Sequence, residues 1–200
     1  MSSDRRPLNI LLILVLSFSS GFSQKGLVVS GGVNFANIIF TEPGVEHGED
    51  KKLSTGLKVS LEVPVRSFIC GIAFTQRGAK LFITSGIGGD QHLRMNYLSC
   101  RFAYPLEITN RLNLYLGSEV SKFTNGDIVY DYLGYESLGE IEATRVDLDY
   151  GIIGGFEFWR SEQFGLRSEY YRGIQKNDIL DDRHFVSTHT GFSLNLLFRL

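Results

Sequence analysis

The sequence is poor in the residues that usually announce chemistry. It holds two cysteines, Cys70 and Cys100, four histidines, four prolines and one tryptophan. The histidines, His47, His92, His184 and His189, show no metal-ligand spacing, so no metal is expected. Glu42, Glu46, Glu49 and Asp50 form an acidic stretch without the spacing of a calcium loop. Gly86-Ile87-Gly88-Gly89 reads as a turn, because no helix follows it to complete a phosphate cradle, and no cofactor is expected. His184 beside Asp181 or Asp182 is the nearest approach to a catalytic pair, and spacing alone does not make a triad. The formal net charge is only -2, so no strongly basic surface calls for nucleic acid. Beyond the N-terminus there is no run of about 18 apolar residues, which excludes an ordinary transmembrane helix. It does not exclude a barrel, whose strands turn every second residue to the lumen and dilute the hydropathy signal.

Aromatic residues and glycine are plentiful instead: Phe 15, Tyr 9 and Gly 22. That mixture suits strands and tight turns better than helices. The first residues have the plan of a signal peptide. Arg5 and Arg6 supply a positive start, Ile10 to Leu16 an apolar stretch too short to span a bilayer, and Ser19, Ser20, Gly21 and Ser23 small residues for cleavage. Cleavage is placed after Ser23, giving a signal peptide at 1–23 and one domain at 24–200. Losing Asp4, Arg5 and Arg6 removes one acid and two bases, which takes the net charge from -2 to -3. No cysteine follows the apolar stretch closely, so a lipoprotein is not indicated.

Period-two alternation dominates the rest and predicts eight strands: about 27–38, 55–65, 66–78, 93–107, 110–123, 144–159, 162–173 and 187–200. In the sixth, Val146, Leu148, Tyr150, Ile152, Phe156 and Phe158 share one face, and Arg145, Asp147, Asp149, Gly151, Gly155 and Glu157 the other. Leu57, Val59, Leu61, Val63 and Val65 oppose Lys58, Ser60 and Glu62 in the same way. Tight turns are expected at 64–67, 108–111 and 160–163, and long polar loops at 39–54, 79–92, 124–143 and 174–186. All short turns then fall at one end of a barrel with both termini, an asymmetry of outer-membrane barrels.

Alternation does not say which face points inward, and a soluble lipocalin-like carrier is also an eight-stranded barrel, with an apolar lumen. Three features favour the opposite sidedness. The chain stops at Leu200 inside its last strand. Aromatics of the apolar face fall near both strand ends: Phe68, Tyr104, Phe158, Phe164 and Phe198 by the short turns, Phe35, Phe74 and Tyr170 by the long loops. Charges of the polar face nearly balance, with Lys58, Arg77, Arg101, Arg145, Arg167 and Arg199 against Glu62, Glu119, Asp147, Asp149, Glu157 and Glu169. A lumen of eight strands is just wide enough for side chains to fill, and buried charges need partners. The prediction is an eight-stranded, antiparallel, up-and-down transmembrane β-barrel of a bacterial outer membrane, its lumen closed by a charge network. Its neighbours would be outer-membrane lipid and proteins or ligands met by the long loops. Its role would be structural, surface-binding or accessory to secretion rather than enzymatic; the competing readings are a lipocalin-like carrier and an outer-membrane lipid-modifying enzyme.

Several segments resemble the PorT-like outer-membrane β-barrel family. Val33-Asn34-Phe35-Ala36-Asn37-Ile38 is similar to its first-strand "LNFSNI". Phe74-Thr75-Gln76-Arg77-Gly78-Ala79-Lys80 is similar to its "YSQKGAK", and Asn96-Tyr97-Leu98 to its "NYLEIP". Leu112 to Gly117 matches its fifth strand, and Phe198-Arg199-Leu200 its "YRF" ending. Ser99, Cys100 and Arg101 replace the "EIP", and Gly71 stands where a lumen glutamate is expected. The resemblance implies the same barrel and, for PorT itself, a link to type IX protein secretion. Cys70 and Cys100 share the apolar face by parity. A hairpin centred near Ser85 would set them opposite each other and permit a disulfide; a register shifted by two residues would leave two free thiols.

Overall fold

The computed structural model describes residues 26–41, 52–83, 89–132, 135–140, 148–174, 177–178 and 186–200. The expected signal peptide at 1–23 lies outside them, as do Arg145, Asp147, His47, His184, Asp181, Asp182 and the acidic stretch from Glu42 to Asp50. Among the described residues ten strands follow in order: β1 (Val28–Thr41), β2 (Lys52–Val65), β3 (Phe68–Ile83), β4 (Gly89–Glu107), β5 (Leu112–Tyr132), β6 (Tyr135–Glu140), β7 (Leu148–Trp159), β8 (Phe164–Gly173), β9 (Asn177–Asp178) and β10 (Val186–Arg199). Eight of them, all but the short β6 and β9, pair antiparallel in the order β1-β2-β3-β4-β5-β7-β8-β10. Pairing of β1 with β10, from Val28 opposite Arg199 to Thr41 opposite Val186, closes the barrel. Closure removes the free sheet edges that would otherwise invite association.

The short turns have local causes. The Thr109 hydroxyl accepts the amides of Arg111 and Leu112, and the Ser161 hydroxyl those of Gln163 and Phe164. These side chains supply the acceptors that a reversing backbone lacks. The third hairpin turns in two residues, Arg66 and Ser67, with Arg66 at φ 55°. A positive φ at the first central position is what the right-handed twist of a two-residue hairpin demands.

At the other end the strands run farther than their polar composition suggests. β3 and β4 stay paired to Ile83 opposite Gly89, and β5 continues to Tyr132, where β6 folds back on it. Much of the loops expected at 79–92 and 124–143 is therefore hairpin. Inter-strand hydrogen bonds do not depend on an apolar face, and a bulge at Thr124 lets β5 twist without ending.

Sidedness is sharp. Leu57, Leu116, Leu194 and Leu196 point outward, the last 69% exposed, while Ile153 and Met95 are fully buried within. On β4 the outward row is apolar from Leu106 through Phe102 to Leu98 and turns polar at Asn96. There Gln76 donates to Asn96, which donates to Asn125. Phe68 stacks on Phe102 at 4.5 Å and meets Tyr104 edge-on, and Phe164 lies against Phe198 at 5.0 Å, an aromatic band at the short-turn end. An apolar exterior around a charged interior is the reverse of a lipocalin.

The β3–β4 register decides the cysteine question. Cys70 stands opposite Phe102, and Cys100 opposite Ile72. The hairpin centre lies one residue from its expected place, which shifts the register by two residues, so the two cysteines are diagonal neighbours and both are free thiols. Diagonal positions lie about 7–8 Å apart, beyond the reach of a disulfide without backbone movement. Mass spectrometry of the non-reduced protein is expected to find both thiols alkylated without prior reduction. A peptide linking Cys70 to Cys100 would contradict the register.

Candidate functional site

The lumen is the built site of this molecule. Strand alternation brings Lys58, Glu62, Arg77, Arg101, Glu119, Asp149, Glu157, Arg167 and Glu169 inward from six strands, and all nine are buried. Taking a charge out of water costs several kcal/mol, so each needs opposite charge and hydrogen bonds to stay ionised there.

Near the short turns, Arg167 grips Glu62 with two guanidinium nitrogens, at 2.6 and 2.5 Å, and donates from Nε to Glu157 at 2.9 Å. The paired, parallel bonds suit a planar fork facing a carboxylate. Above them Arg101 bridges three acids. It donates to Glu62 at 2.6 Å and to Glu169, and its Nε lies 3.2 Å from Glu119. Glu169 also accepts from Lys58 and from the Tyr115 hydroxyl at 2.8 Å. Higher again, Arg77 donates to Asp149 at 2.6 Å and to Glu119, and stacks over the Tyr171 ring at 3.9 Å. Four cations and five carboxylates thus form one continuous ladder along the barrel axis.

Gly71 explains an apparent departure. A Cβ there would come within 2.6 Å of the Glu62 side chain, which pairs across from it. The carboxylate expected at Gly71 is supplied from the adjacent strand, and the glycine makes room for it. Gly151 likewise leaves space for the Tyr171 ring, 2.3 Å from where its Cβ would stand.

Arg199, expected among the ion pairs, instead lies over the Trp159 indole at 3.9 Å near the short-turn mouth. Arg145 and Asp147 fall outside the described residues. Sequence reasoning left out His189, whose Nδ1 lies 3.1 Å from Asp149, and the hydroxyls of Tyr115 and Tyr171. The signal for His189 was present: it shares parity with Ser193 and Asn195 on β10, both buried. Also unforeseen is an apolar cap at the long-loop end, where Ala79, Leu93, Met95, Tyr97 and Phe123 pack together inside the barrel.

Chemically the arrangement is paired charge to charge. Each carboxylate of the ladder meets at least one cation, and the guanidiniums are held by several acids apiece. No group of three or more metal-ligating side chains occurs among the described residues. The ladder joins opposite walls of the barrel rather than presenting a reactive atom.

Among solved structures the chain is similar to Neisserial surface protein A (NspA), with a TM-score of 0.56 at 13% identity, over 88% of this chain and 97% of that one. It is similar to Ail, the attachment invasion locus protein of Yersinia pestis, with a TM-score of 0.51 at 13% identity, over 88% of this chain and 100% of that one. A structure of Ail in complex with the heparin analogue sucrose octasulfate gives a TM-score of 0.50 at 11% identity over 88% of this chain and 100% of that one. At these identities the likeness is one of fold: an eight-stranded antiparallel barrel. No family model matches the chain, and no curated protein is significantly similar to it in sequence.

The ladder generates a stability prediction. Glu169→Gln is expected to destabilise the folded barrel by about 3–5 kcal/mol, because it strands Lys58 and Arg101 beside a neutral partner. Urea unfolding in detergent micelles measures it, and adding Lys58→Met should recover part of the loss. A Glu169→Gln variant as stable as the parent would show that the ladder is solvated.

Proposed function

We propose that the chain is an integral outer-membrane protein, exported by a signal peptide at 1–23 that is cleaved after Ser23. The observation that carries this reading is the sidedness of the barrel: an apolar, aromatic-edged exterior around a lumen filled by buried ion pairs. In water that exterior would be an apolar patch far larger than soluble proteins tolerate. Facing hydrocarbon it is the favoured surface. Structural likeness to NspA and Ail supports the same placement.

The work of the protein is non-enzymatic. With the lumen occupied by paired side chains, its role lies in anchoring the envelope and in surface binding through the long-loop end, where β3, β4 and β5 extend beyond the apolar band. The PorT-like segments favour service as an accessory to type IX secretion as a second reading. The short turns and both ends of the mature chain face the periplasm, and the long loops face outside.

Cell fractionation tests placement and topology together. The protein is expected in the outer-membrane fraction, with a mobility on gels that shifts on boiling, and a tag inserted near Gly134 is expected to be reached by antibody on intact cells. A soluble, heat-indifferent protein would end the membrane reading, and a tag seen only after permeabilisation would invert the topology.

A further inference from the structure

The short-turn mouth holds a cleft that the lumen ladder does not use. Because β5 pairs with β7, the 108–111 and 160–163 turns stand side by side. Between them lies a cavity of about 340 Å³. Its floor is Trp159, only 6% exposed, with its indole nitrogen donating to Glu157 at 3.3 Å. The Arg199 guanidinium lies over that indole, its central carbon 3.9 Å from the ring centre. Stacking engages the face of the guanidinium and leaves its edge, the part that donates, unused by the ring. Its Nε is buried and has no hydrogen-bond partner among the described residues.

Arg111 and Arg160 line the same cavity from the two turns. Among the described residues no carboxylate lies within ion-pair distance of these three arginines. Two acids share the lining, Glu107 and Glu162, and Glu107 already has a partner. Three cations therefore face one uncommitted carboxylate. The hydroxyl oxygens of Thr109 and Ser161 accept turn amides, and the guanidiniums are the charged donors available to a ligand. Deeper entry is closed. A smaller cavity of about 80 Å³ shares Trp159 and Arg199 and ends on Glu62, Glu157 and Arg167, which satisfy one another.

We propose that this cleft binds the acidic C-terminal end of a peptide. The forked donors match planar carboxylates. The space exceeds what a single carboxylate fills, so a second carboxylate of the ligand can meet a second guanidinium. On the orientation argued above the partner would be periplasmic; binding itself does not depend on that orientation.

Trp159 is the one tryptophan of the chain, so its fluorescence reports on the cleft directly. The test titrates the folded protein in detergent micelles with the peptide Ac-Gly-Ala-Asp carrying a free C-terminus. A saturable change in emission is expected, with affinity at least about tenfold weaker for the uncharged Ac-Gly-Ala-Asn amide. Arg111→Gln combined with Arg160→Gln is expected to weaken the acidic peptide by a similar factor while the gel shift on boiling is retained, which shows that the barrel still folds. No saturable signal, equal affinity for the uncharged amide, or an unchanged affinity in the double variant would overturn the proposal. So would acetate or inorganic phosphate binding as tightly as the peptide, since the cleft would then hold a simple anion only. None of these results bears on the membrane placement, which fractionation tests separately.

Discussion

Charge balance in a closed space is the constraint on which this structure depends. Eight strands leave a lumen with room for side chains and for little else. Lys58, Arg77, Arg101 and Arg167 enter it with Glu62, Glu119, Asp149, Glu157 and Glu169, and none can retreat to solvent. Their attraction across the barrel offsets a desolvation cost of several kcal/mol per ion only if each meets a partner in good geometry. Strand register is thereby specified from within. A one-residue slip of β3 would turn Arg77 outward and abandon Asp149 and Glu119, so the ladder enforces the pairing that creates it.

The ends of the lumen are handled differently. Toward the long loops the ladder gives way to His189, Tyr171 and Tyr97, then to the apolar cap of Met95, Leu93 and Phe123. Toward the short turns it ends on Trp159 under Arg199. At both ends an aromatic face lies against a cation, Tyr97 against Arg77 and Trp159 against Arg199. Outside, the same strands expose Leu57, Leu116, Ile152 and Leu196, and alternation makes the two surfaces inseparable: every residue that fills the lumen places a neighbour on the exterior.

The strand segments and their faces were legible because a period of two is a local property. Leu148, Tyr150 and Ile152 against Asp149 and Gly151 can be read without knowing any partner strand. Quantities set by pairing were not legible. The β3–β4 register lay two residues from its expected place because the connecting segment is too long to fix it, and that alone separates Cys70 from Cys100. Glu62 filling the space above Gly71 belongs to two strands at once, as does Arg199 resting on Trp159. His189 was passed over through its place at a loop edge, although its parity marked it as inward. The hairpin beyond the bulge at Thr124 escaped because polar composition imitates a loop while backbone pairing continues.

A membrane barrel of this design requires its outward face to meet hydrocarbon. Ile152 sits midway along the outward row of β7, between Tyr150 and Phe156, and is 47% exposed. The most direct measurement is the folding free energy of Ile152→Arg in lipid bilayers, relative to the parent. A loss of about 2–4 kcal/mol is predicted for an arginine placed near the bilayer midplane. A variant as stable as the parent would contradict the sidedness, and with it the reading of the barrel as a membrane protein.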